Sequence, residues 1–150
     1  MINKEQLEDY LQQNIPISKA LGIKILSASD QEVTVSAPFL SNINHKKTVF
    51  GGSLNAVATL ACWSLAYINL LDLNPIELVI THSDVDYISP VTNDFTVQCK
   101  KPIELDWNRF LKILNLKGKA RIQMEAKIFQ DEKLAVFYEG VFAGIKKQPS

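Results

Sequence analysis

Two short stretches of the sequence carry residue types that could do chemistry. The stretch NINHKKTVFGG, residues 42–52, places amide, imidazole and ammonium groups and a glycine pair just before the longest apolar run of the chain. The stretch THSDVDYI, residues 81–88, places an imidazole close to two carboxylates. Together they offer hydrogen-bond donors, a cationic surface and an acid–base pair, which are groups suited to catalysis at a carbonyl carbon.

Gly51 and Gly52 fall where the apolar run begins, at the predicted start of a long helix that Thr48 or Ser53 is expected to cap. The first N–H groups of a helix lack intrahelical acceptors and lie at the positive end of its dipole, so they could bind an oxyanion. The missing Cβ atoms would let a substrate approach the backbone. A tight turn into a helix packed close to a sheet explains the pair equally well, and both interpretations stay open.

Alternation in THSDVDYI places His82, Asp84 and Asp86 on one face of a predicted strand. A histidine two residues from an aspartate could activate a water molecule, because an unperturbed imidazole titrates near neutral pH. The alternative is a solvated face whose charges only keep the sheet soluble. The opposite face is predicted to be buried in the core, and its members are Val79, Val85 and Tyr87.

The loop before the glycine pair offers further candidates. Asn44 could hold a water molecule or orient a carbonyl group, although an Asx-type turn is the commoner role of a loop asparagine. His45 and Lys46, with Lys47 beside them, could contact the phosphates of a coenzyme A carrier, or they could form a solvated loop.

Acidic residues are absent from the long helix. No Asp or Glu occurs between Glu32 and Asp72, so a hydrolytic base must come from another element. Cys62 and Cys99 lie in the predicted helix and in a predicted strand without metal-ligand spacing, and an apolar environment would keep their thiols protonated. We therefore predict buried reduced thiols, as in a cytoplasmic protein, and no metal or cofactor.

Composition predicts one globular domain over residues 1–150, since 47% of the residues are apolar and 21% are charged. The 16 basic residues balance 16 acidic ones, which argues against a nucleic-acid-binding or membrane-binding surface. The first residues lack the apolar segment of a secretory signal. Residues 53–71 are long enough to span a bilayer, but polar residues lie on every face, and we expect a helix buried in protein.

The order of predicted elements indicates the fold. A helix over residues 3–13 is followed by two strands, the long helix and four more strands, the last group interrupted by the short helix DWNRFLKIL. One long helix with about six mostly hairpin-connected strands predicts an α+β hotdog fold, in which a curved antiparallel sheet wraps a central helix.

The segments IPISKALGIKI, VSAPFLSNINHKKTVFGGSLNAVATLACWSLAY and DVDYISPV resemble the thioesterase domain of the YiiD type, a hotdog-fold group. The most specific part is N-x-x-x-T-x-F-G-G-S followed by an apolar helix and Y-x-x-P-V. Some members are fused to an acetyltransferase domain, for which we expect this chain to be too short. In related acyl-CoA thioesterases, the resemblance aligns Asn44 and the glycine pair with an Asn and a Gly-Gly, whereas Phe50 replaces a histidine and Thr59 replaces the catalytic carboxylate.

The resemblance implies a homodimer or tetramer that hydrolyses acyl thioesters of coenzyme A or acyl carrier protein at a site between subunits. Coenzyme A would be present only as part of the substrate. The predicted base is a histidine–aspartate pair from THSDVDYI, either of the same chain or of the partner. The predicted catalytic residues are Asn44, Gly51, Gly52, Thr59, His82 and Asp84, and the predicted substrate-contacting residues are His45, Lys46, Phe50 and Trp107.

Three alternatives remain open. Trp107 and Phe110, in a short helix that Asp106 is expected to cap, could form a wall of the acyl pocket or only a packing face at the sheet edge. With Phe50 and Thr59 at the usual catalytic positions, the domain could bind acyl thioesters without hydrolysing them. A hotdog dehydratase acting on hydroxyacyl thioesters would need His45 as its histidine.

Overall fold

The computed structural model describes residues 1–73 and 75–147. Within these residues it contains four α-helices and six β-strands, with a 3₁₀ turn at Leu40–Asn42. The helices are α1 (Lys4–Asn14), α2 (Ile17–Leu21), α3 (Gly51–Leu70) and α4 (Glu104–Lys117). The strands are β1 (Lys24–Ala28), β2 (Glu32–Ala37), β3 (Ile76–Tyr87), β4 (Phe95–Lys100), β5 (Lys119–Gln130) and β6 (Lys133–Lys146).

The six strands form one antiparallel sheet in the order β1-β2-β4-β5-β6-β3. The long helix α3 lies against one face of this sheet and contacts β2, β3, β4, β5 and β6. This arrangement confirms the predicted α+β hotdog fold. The strand β3, which carries His82 and Asp84, lies at an edge, and within residues 1–73 and 75–147 it pairs only with β6.

The central helix is buried because apolar residues occupy nearly all of its faces. Although α3 is long and apolar enough to span a bilayer, 67% of its most apolar window is buried inside the fold. Cys62 of α3 and Cys99 of β4 are both 0% exposed, and their Sγ atoms lie 3.3 Å apart. Desolvation by burial raises the pKa of the Cys62 thiol well above its ordinary value. Both cysteines are free and buried, as predicted, and they lie at the contact between helix and sheet.

The N-terminal helix packs against the rim of the sheet. A capping box starts α1: Asn3 accepts from the backbone N–H of Gln6, and the Gln6 side chain accepts from the N–H of Asn3. Leu7 and Leu11 bury the apolar face of α1. Pro16 follows the helix end as predicted, but it also starts the short helix α2, which the sequence pattern did not indicate.

A β-bulge at Thr81 interrupts the alternation of β3. Ile80 pairs with Phe142 of β6 and His82 pairs with Val141, so Thr81 is one extra residue in β3. The face that α3 covers is consequently formed by even-numbered residues before the bulge and odd-numbered residues after it. These residues are Ile76, Leu78, Ile80, Ser83, Val85 and Tyr87.

The predicted burial of Val79 and Tyr87 is wrong. Val79 is 41% exposed and Tyr87 is 53% exposed, whereas Val85 is partly buried and packs against the core. One reason is that β3 is an edge strand, so that protein covers only part of its inner face. The other reason is the bulge, which moves Val79 to the opposite face of the sheet from Val85 and Tyr87.

The inserted helix differs from its predicted bounds. It begins at Glu104 after the N-cap residue Ile103, which makes no side-chain cap, so Asp106 lies in the first turn and does not cap the helix. The strand before it, β4, ends at Lys100. The apolar face is nevertheless buried as expected, through Trp107, Phe110 and Leu114.

Candidate functional site

A narrow loop, residues 43–49, precedes α3 and is held by its own asparagine. Ile43 and Val49 form an isolated antiparallel bridge across its base. The Asn44 side-chain oxygen accepts hydrogen bonds from the N–H groups of Lys46 (2.9 Å) and Thr48 (3.1 Å), and its amide donates to the Thr48 hydroxyl (2.9 Å). Asn44 thus builds the Asx-type turn that the sequence left open as an alternative, and both acceptor positions of its oxygen are used within the loop.

The basic residues of the loop lie at its tip. His45, Lys46 and Lys47 are all exposed, and Lys47 closes the turn in the left-handed region with φ of 59°. The base of the loop is tied to the fold by the N–H of Val49, which donates to the carbonyl of Val91 (2.8 Å). The structure therefore places three basic side chains in solvent, next to the start of α3.

The long helix begins without a side-chain cap, which corrects the prediction for Thr48 and Ser53. Its N-cap residue is Phe50, whose N–H donates to the carbonyl of Asn42 (2.7 Å). The Thr48 hydroxyl is instead bonded to Asn44. Ser53 lies inside the first turn, where the helix already satisfies its N–H.

The absence of a cap leaves two backbone donors free. The N–H groups of Ser53 and Leu54 donate to the carbonyl of Phe50 at 3.0 and 3.2 Å. Within the part of the chain that the structure describes, the N–H groups of Gly51 and Gly52 have no acceptor. Since α3 is 20 residues long, these donors stand at the positive end of a substantial helix dipole. The helix start can therefore bind a negatively charged oxygen.

A Cβ atom on each of the two glycines would meet a different aromatic ring. On Gly52 it would meet the ring of Phe50, an exposed side chain that would have to turn away. A Cβ atom on Gly51 would lie 3.4 Å from the ring of Tyr87, an ordinary contact. The hydroxyl of Tyr87 donates to the carbonyl of Gly51 (2.9 Å) and joins the helix start to β3. Packing within the chain therefore does not require glycine at position 51.

A half-exposed stripe runs along α3 from the glycine pair. On this stripe the Thr59 hydroxyl lies 2.9 Å from the carbonyl oxygen of Asn55 and 2.8 Å from the hydroxyl of Tyr138 on β6. A hydroxyl has one proton, so Thr59 donates to Asn55 and accepts from Tyr138. The members of the stripe are Gly52, Asn55, Ala56, Thr59, Trp63 and Tyr67.

Tyr138 is a buried proton donor. It is 0% exposed, and desolvation by burial raises its pKa to about 12, although the hydrogen bond with Thr59 lowers the pKa in part. The phenol is therefore protonated at neutral pH. It fixes the Thr59 hydroxyl but does not act as a base.

The face formed by α3 and β3 carries no charge. Its members at the start of the helix and along the strand are Gly51, Gly52, Asn55, Thr59, Ser83, Val85 and Tyr87, none of which is ionised at neutral pH. In residues 1–73 and 75–147, no group of three or more His, Cys, Asp or Glu side chains is placed to hold a metal ion. The chemistry available on this face is hydrogen bonding by backbone and hydroxyl donors.

The histidine–aspartate pair lies elsewhere. His82 pairs with Val141 and Asp84 pairs with Glu139, and both side chains are exposed on the sheet face opposite to α3. Within one chain, the structure does not bring His82 and Asp84 together with Gly51 and Gly52.

The aromatic residues of α4 are core residues. Trp107 is 4% exposed, its ring lies 5.2 Å from that of Phe110, and the Lys101 ammonium stands 5.4 Å from the Trp107 ring. Two clefts of about 550 and 530 Å³ adjoin α4, and the described residues that line them do not include Trp107. This placement corresponds to the packing role that the sequence left open.

Comparison with protein families assigns the chain. The family described as "Putative thioesterase (yiiD_Cterm)" matches residues 4–146. The chain belongs to this YiiD C-terminal family. The match includes the loop of residues 43–49, the whole of α3 and the edge strand β3.

Solved structures share the fold of this YiiD-family domain. A protein of unknown function from Chlorobaculum tepidum TLS is 32% identical and has a TM-score of 0.90, covering 97% of this chain and 98% of that chain. A "putative thioesterase" from Shewanella oneidensis is 28% identical with a TM-score of 0.79, covering 95% of this chain and 96% of that chain. A protein from Pseudomonas aeruginosa, 15% identical with a TM-score of 0.82 and covering 97% of both chains, shows the same fold.

No role at this site was predicted from the sequence for three residues of the YiiD-family domain, namely Tyr138, Asn55 and Tyr87. Tyr138 had a detectable signal, because alternation in LAVFYEGVF places a phenol on a buried strand face, where its hydroxyl needs a partner. Asn55 lies one helical turn before Thr59 and could have been found from that spacing. Tyr87 was predicted on the core-facing side of the strand, where it lies, but its hydrogen bond to Gly51 was not predicted.

Proposed function

We propose that this YiiD-family domain hydrolyses acyl thioesters on the uncharged face between α3 and β3. The observation that carries the proposal is the pair of free N–H groups at Gly51 and Gly52, which lie about two helical turns before Thr59 on the same side of α3. The description of the family and of the Shewanella relative as thioesterases supports the reaction class.

The helix start would stabilise the transition state of this reaction. The thioester oxygen accepts hydrogen bonds from Gly51 and Gly52 while water attacks the carbonyl carbon and forms a C–O bond. Negative charge then develops on the oxygen, where fixed donors and the helix dipole stabilise it most. Collapse breaks the C–S bond, and a proton from the water passes to the departing sulfur, which gives an acid and a thiol.

The stripe on α3 would orient the water. Asn55 supplies a half-buried amide, and the Thr59 hydroxyl is fixed by Tyr138. None of these groups is a base at neutral pH, so rate acceleration would come from orientation and charge stabilisation. The exposed His45 and Lys46 at the loop tip are suited to the phosphates of a coenzyme A or acyl carrier protein substrate.

A second copy of the chain would cover this face. The N–H of Ile88 donates to the carbonyl of Ala135 on β6, so in this half of β3 the even-numbered residues bond to β6 and the odd-numbered ones point outward. The outward backbone groups of Ser83, Val85 and Tyr87 are thus free to pair with another strand. Antiparallel pairing of two β3 strands would continue the sheet and place the site between subunits.

The uncharged face also favours a second candidate function. A domain without an acid or base beside its oxyanion site is suited to hold an acyl thioester without cleaving it. In that case the same donors would bind the carbonyl oxygen in the ground state, and no thiol would be released.

Thiol release from a panel of acyl-CoA substrates, from acetyl to palmitoyl, tests the proposal. We expect wild-type protein to release thiol, and Gly51→Ala to lower kcat/KM by about tenfold or more, because the added methyl group would obstruct the approach to the N–H donors. A Cβ atom fits beside Tyr87, so the melting temperature of Gly51→Ala should be close to that of wild type.

His82→Ala and Asp84→Asn are the matched controls, since both residues lie on the opposite face of the sheet. Both variants should keep the wild-type rate. Binding of the whole panel without thiol release would identify the non-catalytic domain, and loss of turnover in Asp84→Asn would place the base on the opposite face.

A further inference from the structure

Three aromatic rings stack at the far end of the α3 stripe. The rings of Trp63 and Tyr67 lie 4.8 Å apart at an interplanar angle of 14°, and Tyr10 of α1 stacks on Tyr67 at 4.8 Å and 18°. All three side chains are half-buried. Offset stacks of this kind hold their rings in one orientation more firmly than area burial alone does.

The first ring of this stack bridges α3 and the free edge of β3. The indole N–H of Trp63 donates to the carbonyl oxygen of Leu78 (2.9 Å). Leu78 is on the inner face of β3, as is Tyr87, which contacts the start of α3. The helix and strand therefore run side by side from the glycine pair to Trp63, and the indole crosses the gap between them.

The stack is supported from behind. Tyr10 is carried by α1, whose Leu7 and Leu11 are both 0% exposed, and the Glu8 carboxylate of α1 accepts from the N–H of Ile25 (2.8 Å). The second ring, Tyr67, is half-buried between the rings of Tyr10 and Trp63, and this burial raises its pKa. A ligand reaching Trp63 from the glycine pair therefore meets a fixed wall.

We propose that Trp63 closes the acyl-binding groove and sets the longest acyl chain that the site accepts. The inference rests on the proposed function, since it assumes that the thioester carbonyl binds at Gly51 and Gly52. Trp63 follows Gly52 by eleven residues, which is about 16 Å along a helix axis. An acyl chain that extends along α3 from the glycine pair therefore has a limited length before it reaches the indole.

Comparing chain-length profiles of wild type and Trp63→Ala tests this wall. Wild-type kcat/KM should fall sharply at one chain length, because a fixed apolar wall discriminates single methylenes by roughly tenfold or more. In Trp63→Ala the fall should move to longer chains, with kcat/KM for the first excluded substrate raised by about tenfold or more. Trp63→Phe, which keeps a ring in the stack, guards against a folding defect and should give an intermediate limit.

A binding measurement separates this inference from the proposed hydrolysis. The chain has two tryptophans, so Trp107→Phe leaves Trp63 as the only one, and its fluorescence can report S-alkyl thioethers of coenzyme A, which cannot be hydrolysed. The affinity for these thioethers should fall at the same alkyl length as kcat/KM does. In Trp63→Ala this length limit should move to longer chains, and calorimetry can measure the binding of that variant.

The outcomes are distinguishable. A chain-length limit in thioether binding, without turnover of any thioester, would contradict the proposed hydrolysis and support the proposed role of Trp63. The same chain-length profile of turnover or binding in wild type and Trp63→Ala would contradict the proposed role of Trp63 without contradicting the proposed hydrolysis.

Discussion

At the scale of single residues, the Thr59–Tyr138 pair shows how a core residue serves a surface site. Tyr138 has no exposed area, yet its hydroxyl fixes the direction in which the hydroxyl of the half-exposed Thr59 donates its proton. The pair also ties α3 to β6 across a distance of 79 residues in the chain.

Thr59→Val should destabilise the domain by about 1–3 kcal/mol, because it leaves the buried Tyr138 hydroxyl without a partner. Thr59→Ser retains a hydroxyl and should lose much less. Urea unfolding of both variants measures the difference. In a Tyr138→Phe background the cost of Thr59→Val should largely vanish, and equal costs in the two backgrounds would show that the hydrogen bond contributes nothing.

Tyr138 should also make stability depend on alkaline pH. Its pKa is raised from 10.0 to about 12 in the folded protein, so between these values the unfolded chain loses a proton that the folded chain keeps. The free energy of unfolding should therefore be unaffected by this group below pH 10 and should fall as pH rises from 10 toward about 12.

Chemical unfolding at several pH values checks this sign. Tyr138→Phe removes the ionisable group, so its stability should fall less steeply over the same range. Parallel curves for wild type and Tyr138→Phe would contradict the assignment to Tyr138.

Residue types alone predicted part of this site. The glycine pair and its free donors followed from the position of Gly51 and Gly52 before an apolar run. The role of Asn44 did not, since an asparagine in a loop can face a substrate or its own backbone, and only coordinates show that both acceptor positions of its oxygen are used.

At the scale of elements, β3 is where sequence reasoning and structure diverge. Its existence was predictable from the alternation in THSDVDYI, but the faces of the whole strand were not, because one extra residue reverses the alternation midway. A bulge leaves no clear mark in composition, and Thr81 is an ordinary strand residue. The inserted helix α4 shows a milder form of the same limit, with its apolar face predicted and its start displaced.

The free edge of β3 predicts how a dimer would be disrupted. Ser83→Pro removes a backbone N–H that points away from β6, so pairing within the chain should survive while pairing with a second copy is lost. Wild type should sediment as a dimer and Ser83→Pro as a folded monomer. Asp84→Pro, which removes an inward N–H bonded to β6, is the control and should unfold.

Unchanged sedimentation of a folded Ser83→Pro variant would show that β3 is not the interface. Loss of thiol release together with the dimer would support a site shared between subunits.

At the scale of the whole molecule, the architecture was the most predictable feature. A single helix with apolar residues on nearly every face must be surrounded by other protein, and six strands joined mainly by short turns leave few ways to surround it. The prediction did not need side-chain detail, whereas the site depends on which face each strand residue occupies.

The charge distribution of the molecule predicts an unusual pH profile. The carboxylates and histidines of the described residues lie away from the face between α3 and β3, so the kcat of the proposed reaction at saturating substrate should show no carboxylate or histidine titration step between about pH 5 and 8. A pH–rate series with a short acyl-CoA checks this. An inflection near the ordinary pKa of histidine that disappears in His82→Ala would overturn it.

The single extra residue in β3 has a consequence for how such domains could diverge. If β3 paired regularly with β6 while Thr81 kept a place in the ladder, every residue on one side of Thr81 would exchange faces. His82, Asp84 and Asp86 would then turn toward α3, and an imidazole and two carboxylates would line a groove that now has no charge. A shift of the strand register by one residue could thus supply a general base that no residue of the central helix provides.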